Sequence, residues 1–350
     1  MAAGLLAFLI ALVASLTLTV PVRALALRVG MVDHPGPRKV HLQPIPLLGG
    51  LAMYAGVVLG VLLLVQGAAR AQVWGILAGA TLIAAVGILD DRGLLHHQIK
   101  LFVGMPLAAV ILLLSGIRAQ IFSSLFGGRG GDILDAALTI VWVVGITASF
   151  SILDHMDGLC AGVAAMAAAF FAFLAYLNGQ VLVTVLAAAV LGAASGFLRW
   201  NFKPAKIFMG DGGAMFLGFL MATLALKLRL SQPNAISAWL VPLLILGTTI
   251  FDTTLVTVSR SRRGLLPFAA PGKDHAAHRL ANIGLGQRGA VLAMYMIGAL
   301  SGSLALLVST LSVGFALAAI PLAMLLVVVG VLYLETAPYE RQMRKSAEAD

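Results

Sequence analysis

Long apolar runs alternate with short polar connections along the whole chain. Each run is close to the roughly 20 residues that a helix needs to cross a membrane. The runs cover residues 2–22, 47–66, 72–89, 101–117, 133–152, 158–176, 180–198, 212–227, 236–258, 289–309 and 314–334. This pattern predicts an all-α, polytopic membrane protein of about 11 transmembrane helices.

The distribution of charges predicts how these helices are oriented. Arg23, the first cation, follows the first apolar run, whereas a secretory signal has cations before it. We therefore expect a retained first helix with its N-terminus outside. Alternating from there, the inner connections contain 18 of the 23 lysines and arginines, as the positive-inside rule requires. All histidines, and all acids except Asp132 and Asp135, fall at or near the same face, which indicates polar chemistry on the cytoplasmic side.

Composition narrows the class of protein further. The chain is 61% hydrophobic and 11% charged, whereas soluble domains are about 25% charged. A soluble globular enzyme, a disordered chain and a single-span receptor are therefore excluded. The net charge of +9 follows from topology, so we expect anionic substrates and lipids as partners and no nucleic acid. The single cysteine, Cys160, excludes a disulfide framework and a cysteine-built zinc site.

Two adjacent acids, Asp90 and Asp91, end the third apolar run in the sequence GILDDRGLL. Burying both carboxylates costs several kcal/mol unless they are compensated. A divalent cation is the usual compensator, and oxygen-only ligands suit Mg²⁺. Neighbouring side chains on a helix point about 100° apart, so we expect one carboxylate to bind metal and the other to position or activate a group. A solvated pair at a helix end is the alternative.

Two further acids, Asp154 and Asp157, lie in SILDHMDGLCAG at the inner end of the fifth run. Their i, i+3 spacing places both on one face if the segment is helical. Gly158 is instead compatible with a break before the sixth run. Solvent-facing loop acids are the alternative to a functional pair.

The stretch NFKPAKIFMGDGGAMFLGF places Asp211 among three glycines, which let the backbone approach a ligand closely. Asn201, Lys203 and Lys206 add polar and cationic groups. An acid in a glycine cluster at the start of a span predicts a metal or phosphate site. A simple inter-helix loop is the alternative.

The loop after the ninth run contains His275, His278 and Arg279. The two histidines have a metal-ligand spacing, but without cysteines we favour phosphate contact over zinc. Asp252, inside the ninth run, needs a partner, and Arg260 is a candidate. Asp252 is also the one residue that suggests a transporter. That interpretation is the weakest, because transport acids lie near mid-membrane whereas the other candidate acids lie at helix ends.

The first inner loop, DHPGPRKVHLQPIPLLGG, contains Lys39 and His41 and is rich in proline and glycine. Its stiffness predicts a fixed basic loop at the membrane surface. A positive cluster that only sets topology is the alternative.

Taken together, the acids and cations of the inner face predict a metal-assisted phosphate site at the lipid interface. Mg²⁺ would neutralise pyrophosphate oxygens, and fixed cations would stabilise the charge that develops in phosphoryl transfer. A nucleotide donor reaches this face from the cytosol, and an acceptor whose head group lies at this depth would be a phospholipid.

Five motifs carry a resemblance to a known family. In this order, RKVHLQPIPLLGG, GILDDRGLL, LDHMDGL, NFKPAKIFMGD and DHAAHRL resemble the polyprenyl-phosphate N-acetylhexosamine-1-phosphate transferases over about residues 30–290. The resemblance implies transfer of a sugar-1-phosphate from a UDP-sugar to undecaprenyl or another polyprenyl phosphate, releasing UMP and initiating a cell-envelope glycan. It also implies Mg²⁺, with Mn²⁺ as an alternative, and a bacterial inner-membrane location.

The resemblance assigns a catalytic set of Asp90, Asp91 and Asp211, with the metal at Asp91 and Asp211. With the basic and polar residues already described, the candidate substrate-binding set is Lys39, His41, Asp154, Asp157, Asn201, Lys206, His275, His278 and Arg279. We expect a single transferase domain over residues 1–334, a cytoplasmic tail over 335–350, and a homodimer as a further expectation.

The chain also departs from the family pattern. Ala148, Ser151 and His155 stand where Asn, Asn and Gly are expected, and Ala277 replaces the middle histidine of the last motif. Since every carboxylate is retained, the metal centre is expected to be intact and the nucleotide or sugar pocket altered. The alternative function is a donor-altered or non-catalytic paralogue that binds polyprenyl phosphate.

Overall fold

A computed structural model describes residues 1–35, 43–65, 67, 70–231, 235–266 and 272–338 of the chain. The described residues are mostly helical and form two compact units, Met1–Arg229 and Leu230–Asp350. The expected single domain over residues 1–334 stays a prediction, as does the tail.

Unit 1 is an assembly of helices with short connections. Its helices are α1 (Ala2–Arg28), α2 (Gly49–Leu64), α3 (Arg70–Asp91), α4 (His97–Ile99), α5 (Met105–Leu114), α6 (Phe122–Phe126), α7 (Gly128–Leu153), α8 (Leu159–Leu177), α9 (Val181–Asn201) and α10 (Gly210–Lys227). A π-helical segment, Lys100–Gly104, joins α4 to α5.

Helix α10 lies at the centre of unit 1. Every residue from Gly212 to Leu226 is buried, and the helix packs against α2, α3, α7 and α8. A helix that is apolar on all sides is stable only when other helices surround it. Its first residues are therefore held at a fixed point at one end of the unit.

The connection before α2 contains two short strands and is hydrogen-bonded to the connection before α10. Strands β1 (Val32–Asp33) and β2 (Ile45–Pro46) pair antiparallel. At the end of β2, Phe208 donates its N–H to Pro46 O at 2.9 Å, and Gly49 N donates to Phe208 O at 2.9 Å. This small sheet departs from the all-α prediction, because two-residue strands leave no periodic pattern in a sequence.

Unit 2 contains the remaining helices. They are α11 (Ala235–Ile245), α12 (Gly247–Arg262), α13 (Ala276–Leu280), α14 (Gly286–Thr310) and α15 (Val313–Glu335), with a π-helical segment Ala281–Leu285 between α13 and α14. Helices α11 and α12 are separated by Leu246 and bend by 75° at this break. Helix α12 packs against α14 and α15.

Within the described residues, seven helices are long and apolar enough to cross a membrane, and the bent pair α11–α12 makes an eighth if it is one span. The seven are Ala2–Arg28, Arg70–Asp91, Gly128–Leu153, Leu159–Leu177, Val181–Asn201, Ala276–Thr310 and Val313–Glu335. Gly49–Leu64 and Lys100–Leu114 are shorter apolar helices. A mostly helical, multi-pass membrane protein is therefore confirmed.

Candidate active site

Asp91, the last residue of α3, caps the first turn of α10. Its Oδ1 accepts a hydrogen bond from Asp211 N at 2.9 Å, and its Oδ2 accepts one from Gly212 N at 3.2 Å. The first amides of a helix have no partner inside the helix and carry partial positive charge, so a carboxylate is stabilised there. The cap brings two of the three predicted catalytic acids together.

Glycines allow this approach. Gly210 has φ +71, and a Cβ at this position would lie 2.4 Å from Asp91 Oδ2. One turn before Asp91, a Cβ on Gly87 would lie 2.4 Å from Gly212 N. A side chain is excluded at Gly87 because the backbones of α3 and α10 touch there, and at Gly210 because the carboxylate of Asp91 fills the space.

Lys100 joins the remaining predicted catalytic acid to this pair. Its ammonium donates to Asp90 Oδ2 at 2.7 Å and makes a short contact with Asp211 Oδ2. The three side chains are only 16–23% exposed. In this setting, with water largely excluded, the ammonium compensates two carboxylates that would otherwise repel each other.

Ser151, on the last turn of α7, completes the contacts of Asp211. Its hydroxyl donates to Asp211 Oδ1 at 2.6 Å. Asp211 thus accepts from Lys100 on one oxygen and from Ser151 on the other. The serine that replaces an expected asparagine still supplies a hydrogen-bond donor at this point.

Asp154 and Asp157 lie in a non-helical turn between α7, which ends at Leu153, and α8, which begins at Leu159. Gly158, with φ +80, marks the break, so the shared helical face is not formed. Burial raises the pKa of Asp154 to about 8, and the negative charges of Asp211 and Asp91 act in the same direction. A carboxyl group with these neighbours favours a cation beside it.

Asn201 and Asp157 hold two connections of unit 1 together. Asn201 Oδ1 accepts from Gly158 N at 3.0 Å, and its Nδ2 donates to Ile207 O at 3.0 Å. Asp157 Oδ2 accepts from Ala205 N at 3.0 Å. The side chains of Asn201 and Asp157 therefore bind backbone groups in this structure, and they hold the segment that leads into α10.

The structure does not show the predicted basic residues Lys39, His41 and Lys206 in contact with the acid cluster. Lys206 is exposed, and its Nζ lies 5.6 Å from the centre of the Trp200 ring. Lys39 and His41 lie outside the described residues.

An apolar cavity of about 150 Å³ opens beside Asp91. Helices α2, α3 and α10 supply its walls, which include Leu51, Tyr54, Ile88 and Gly213. Asp91 is the one acid in its lining, so an apolar ligand there would have its end next to a carboxylate.

In unit 2, Asp252 contacts the segment that contains His275, His278 and Arg279, which we name the histidine loop. Asp252 is 1% exposed, and its Oδ2 lies 2.7 Å from His275 Nδ1. Its Oδ1 accepts from Ala276 N at 2.7 Å. A buried carboxylate is stabilised by such contacts, and it fixes the orientation of the imidazole. The expected partner, Arg260, pairs with Asp274 instead.

The carboxylate of Asp274 accepts hydrogen bonds from two arginines. Arg260 donates to both of its oxygens at 2.9 Å, and Arg263 donates to Oδ2 at 2.6 Å. Burial alone would raise the pKa of Asp274, but the hydrogen bonds from these guanidinium groups outweigh it and hold the pKa well below its usual range. The loop before α13 is therefore fastened to the end of α12.

Arg279, a predicted substrate-binding residue, is 0% exposed. Its guanidinium donates to Asp274 O at 2.9 Å, to Leu334 O at 2.7 Å and to Ser259 Oγ at 2.5 Å. Glu335 Oε1 lies 2.8 Å from its Nη2. His278, one residue earlier, is also buried. Arg279 thus joins the histidine loop to α12 and α15.

The donor chemistry of the acids in unit 1 fits Mg²⁺. Asp90, Asp91 and Asp211 offer only oxygen atoms, which magnesium prefers. The ammonium of Lys100 contacts Asp90 and Asp211 and shows that a positive charge is accommodated between these acids. The metal site expected at Asp91 and Asp211 stays a prediction.

Lys100 and Ser151 were not among the predicted site residues. Lys100 lies immediately before the fourth apolar run, nine residues after Asp91, and the positive-inside rule alone accounts for its charge. Ser151 was noted only as a departure from the family pattern. The sequence feature that could have identified Lys100 is its position as a single cation at the end of a span, close to the paired acids Asp90 and Asp91.

Comparison with known proteins identifies the family. The model of glycosyl transferase family 4 matches residues 73–229. The chain is 37% identical over 295 residues to a probable undecaprenyl-phosphate N-acetylglucosaminyl 1-phosphate transferase of Bacillus subtilis, covering 83% of this chain and 81% of the relative.

Two further relatives agree. A decaprenyl-phosphate N-acetylglucosaminephosphotransferase of Mycolicibacterium smegmatis is 36% identical, over 79% of this chain and 74% of its own. An undecaprenyl-phosphate alpha-N-acetylglucosaminyl 1-phosphate transferase of Escherichia coli K12 is 26% identical, over 81% and 78%. With this identity over most of its length, the chain belongs to glycosyl transferase family 4.

Proposed function

We propose that the protein transfers a sugar-1-phosphate, N-acetylhexosamine-1-phosphate by the names of its relatives, from a UDP-sugar to polyprenyl phosphate. UMP is released, and the lipid-linked sugar begins a cell-envelope glycan. The observation that carries the proposal is the cluster of Asp90, Asp91 and Asp211 at the ends of two apolar helices. Lys100 contacts Asp90 and Asp211, and Asp91 caps the start of α10.

The chemistry is a phosphoryl transfer. An oxygen of the lipid phosphate forms a bond to the phosphorus that bears the sugar. The bond from this phosphorus to the bridging oxygen breaks, and the electron pair leaves with UMP. Since the lipid phosphate is already largely anionic near neutral pH, positioning and charge compensation are the main tasks of the protein.

Asp91 and Asp211 would hold Mg²⁺, or Mn²⁺ in its place. When bound, the metal supplies charge neutralisation for the pyrophosphate oxygens. The chain's own groups act around it. Lys100 holds the carboxylates of Asp90 and Asp211 in place, and Ser151 orients Asp211.

The apolar cavity beside Asp91 supports a lipid acceptor whose first prenyl unit lies between α2 and α3. Leu51→Trp would fill this space. The KM for polyprenyl phosphate is expected to rise about tenfold, with the KM for the UDP-sugar unchanged. Equal changes in both would contradict this placement of the acceptor.

We also propose eleven spans with the N-terminus outside and the site at the cytoplasmic face of the bacterial inner membrane. The seven long helices, the bent pair, the two shorter apolar helices and α10 add up to eleven. Asp91, Asp154 and Asp211 then share one end of unit 1, because α3 and α7 run inward and α10 runs outward. Labelling of cysteines placed at Arg92 and Arg118 tests the two sides.

A homodimer rests on the family resemblance alone, and light scattering of the purified protein checks it.

A donor screen tests the activity. Purified protein with polyprenyl phosphate, Mg²⁺ and a panel of UDP-sugars, including UDP-N-acetylglucosamine and 6-deoxy-N-acetylhexosamine donors, is expected to release UMP, and EDTA is expected to stop it. Asp211→Asn should abolish release, whereas Asp132→Asn, on an exposed ion pair with Arg118, should not. If folded protein releases no UMP with any donor, the non-catalytic alternative takes its place.

A further inference from the structure

A positively charged surface lies on unit 1, on the connection that leads into α10 and the ends of α1 and α9. The guanidinium carbon of Arg199 lies 5.7 Å from the centre of the Trp200 ring, and Lys206 Nζ lies 5.6 Å from it. Arg23 of α1 donates from Nε to Lys206 O at 3.1 Å. We name Arg23, Arg199, Trp200 and Lys206 the Trp200 patch.

The backbone and the indole fix the geometry of this patch. Trp200 Nε1 donates to Leu16 O at 3.0 Å, which fastens the ring to α1. Lys206 N donates to Trp200 O at 2.8 Å, which folds the connection back on the end of α9. Arg199 and Lys206 are therefore held beside one ring, and α1 brings Arg23 to the backbone of Lys206.

The charge of the patch is uncompensated within the described part of the chain. Arg23, Arg199 and Lys206 are exposed, and none of them has a carboxylate partner among the described ion pairs. Arg118 and Lys100, by contrast, contact acids. Two cations beside one indole, with Arg23 hydrogen-bonded to the backbone of one of them, leave a local positive charge that an anion can neutralise.

The position of Arg23 on α1 indicates the source of the anion. Leu9, Val13 and Val20 are 43–54% exposed and lie on one face of this apolar helix. Arg23 follows Val20 by three residues and so continues the same face. A cation that ends a row of exposed apolar side chains, with a tryptophan beside it, matches the border between hydrocarbon and head groups.

We propose that the Trp200 patch binds the phosphodiester head group of an anionic membrane phospholipid. This site is distinct from the polyprenyl phosphate acceptor and goes beyond the proposed function. Ala205, next to Lys206, contacts Asp157 of the candidate active site. A head group held by Lys206 therefore steadies the connection that leads to Asp211.

Native mass spectrometry of the full-length protein tests the proposal, with phosphatidylglycerol, phosphatidylcholine and inorganic phosphate as probes. Wild type is expected to retain phosphatidylglycerol at least about tenfold better than phosphatidylcholine. Each basic residue near an anionic lipid contributes roughly a fivefold gain. Arg199→Gln should thus weaken retention about fivefold, and Arg23→Gln with Arg199→Gln by more than about tenfold.

Arg28→Gln is the matched control, because Arg28 is an exposed arginine near the same end of α1 but outside the patch. It should retain phosphatidylglycerol as wild type does. Arg199 makes no described hydrogen bond, so its single variant keeps the test valid if the double variant unfolds. Equal retention of both lipids by wild type, unchanged retention by Arg199→Gln, or displacement of the lipid by millimolar inorganic phosphate would overturn the proposal.

Discussion

The carboxylate of Asp91 accepts the backbone amide of Asp211 at 2.9 Å, so the end of α3 fixes the start of α10. The same carboxylate serves as a helix cap and as a member of the acid cluster. Two acids that are 120 residues apart in the sequence are thereby held at one point before any ligand binds. Pre-organisation of this kind lowers the free energy needed to assemble a charged site.

Asp91→Asn separates the two roles of this residue. Asparagine keeps one acceptor for the amides but loses the negative charge. We expect UMP release to fall at least about 100-fold, while the free energy of unfolding falls by only about 1 kcal/mol. Kinetics and thermal unfolding in detergent measure both. Activity above a tenth of wild type would show that the charge is dispensable.

Gly210→Ala tests the close approach of α3 and α10. The positive φ and the 2.4 Å contact with Asp91 Oδ2 predict a loss of about 2 kcal/mol or more in unfolding free energy, together with lower activity. Gly145→Ala is the control, since Gly145 lies inside α7 with no atom within 4 Å of its added Cβ. That variant should gain roughly 0.5–1 kcal/mol. Equal effects from both would contradict the contact.

Ser151→Ala removes a hydrogen bond to Asp211. A lost donor to a charged, half-buried group is worth about 1.5–3 kcal/mol, so kcat/KM should fall by roughly tenfold or more. Ser151→Asn restores the residue expected from the family pattern and should retain activity, because it also supplies a donor. An inactive asparagine variant would mean that the serine is specific to the pocket of this protein.

The stability of the metal-free protein should depend on Asp154. The pKa of Asp154 is about 8 in the folded chain and near 3.9 when unfolded. Between these values the folded state holds a proton that the unfolded state has lost, so stability falls as pH rises from about 4 to 8. Asp154→Asn should flatten this slope in EDTA, whereas Asp132→Asn should keep it. Thermal unfolding across this pH range is the measurement.

Arg279→Lys tests whether Arg279 acts through the fold. Lysine cannot serve acceptors on α12, α15 and the histidine loop at once, and we expect a loss of about 2–3 kcal/mol in unfolding free energy. Arg262→Lys is the control: Arg262 also faces Glu335, at 3.9 Å, but its side chain is 63% exposed. That change should stay within about 0.5 kcal/mol. Equal stability of the two variants would argue against an anchoring role.

The sequence predicted the acids of the site because burying charge is costly wherever it occurs. Apolar sequence is interrupted at a helix end by each of Asp90, Asp91, Asp154 and Asp211. In the fold of unit 1, Asp91 and Asp211 are in direct contact. Helix positions followed from the length of the apolar runs, which the hydrophobic effect sets.

Partners of these acids were harder to predict. Lys100 and Asp211 are 111 residues apart, and their contact depends on how α3, α5 and α10 pack. Arg260 was expected for Asp252 because it follows on the same helix, yet His275 is its contact in the fold. Asn201 shows the same limit, since its amide groups contact loops whose paths no local pattern determines.

The burial of α10 has a consequence for how the protein is made. A helix that touches protein along its whole length has no lasting place in lipid, so it becomes stable only once α2, α3, α7 and α8 are present to receive it. Because α10 follows all four in the chain, synthesis delivers it after its surroundings have been inserted. Its docking brings Asp211 to Asp91, which makes completion of the bundle and assembly of the acid cluster a single event.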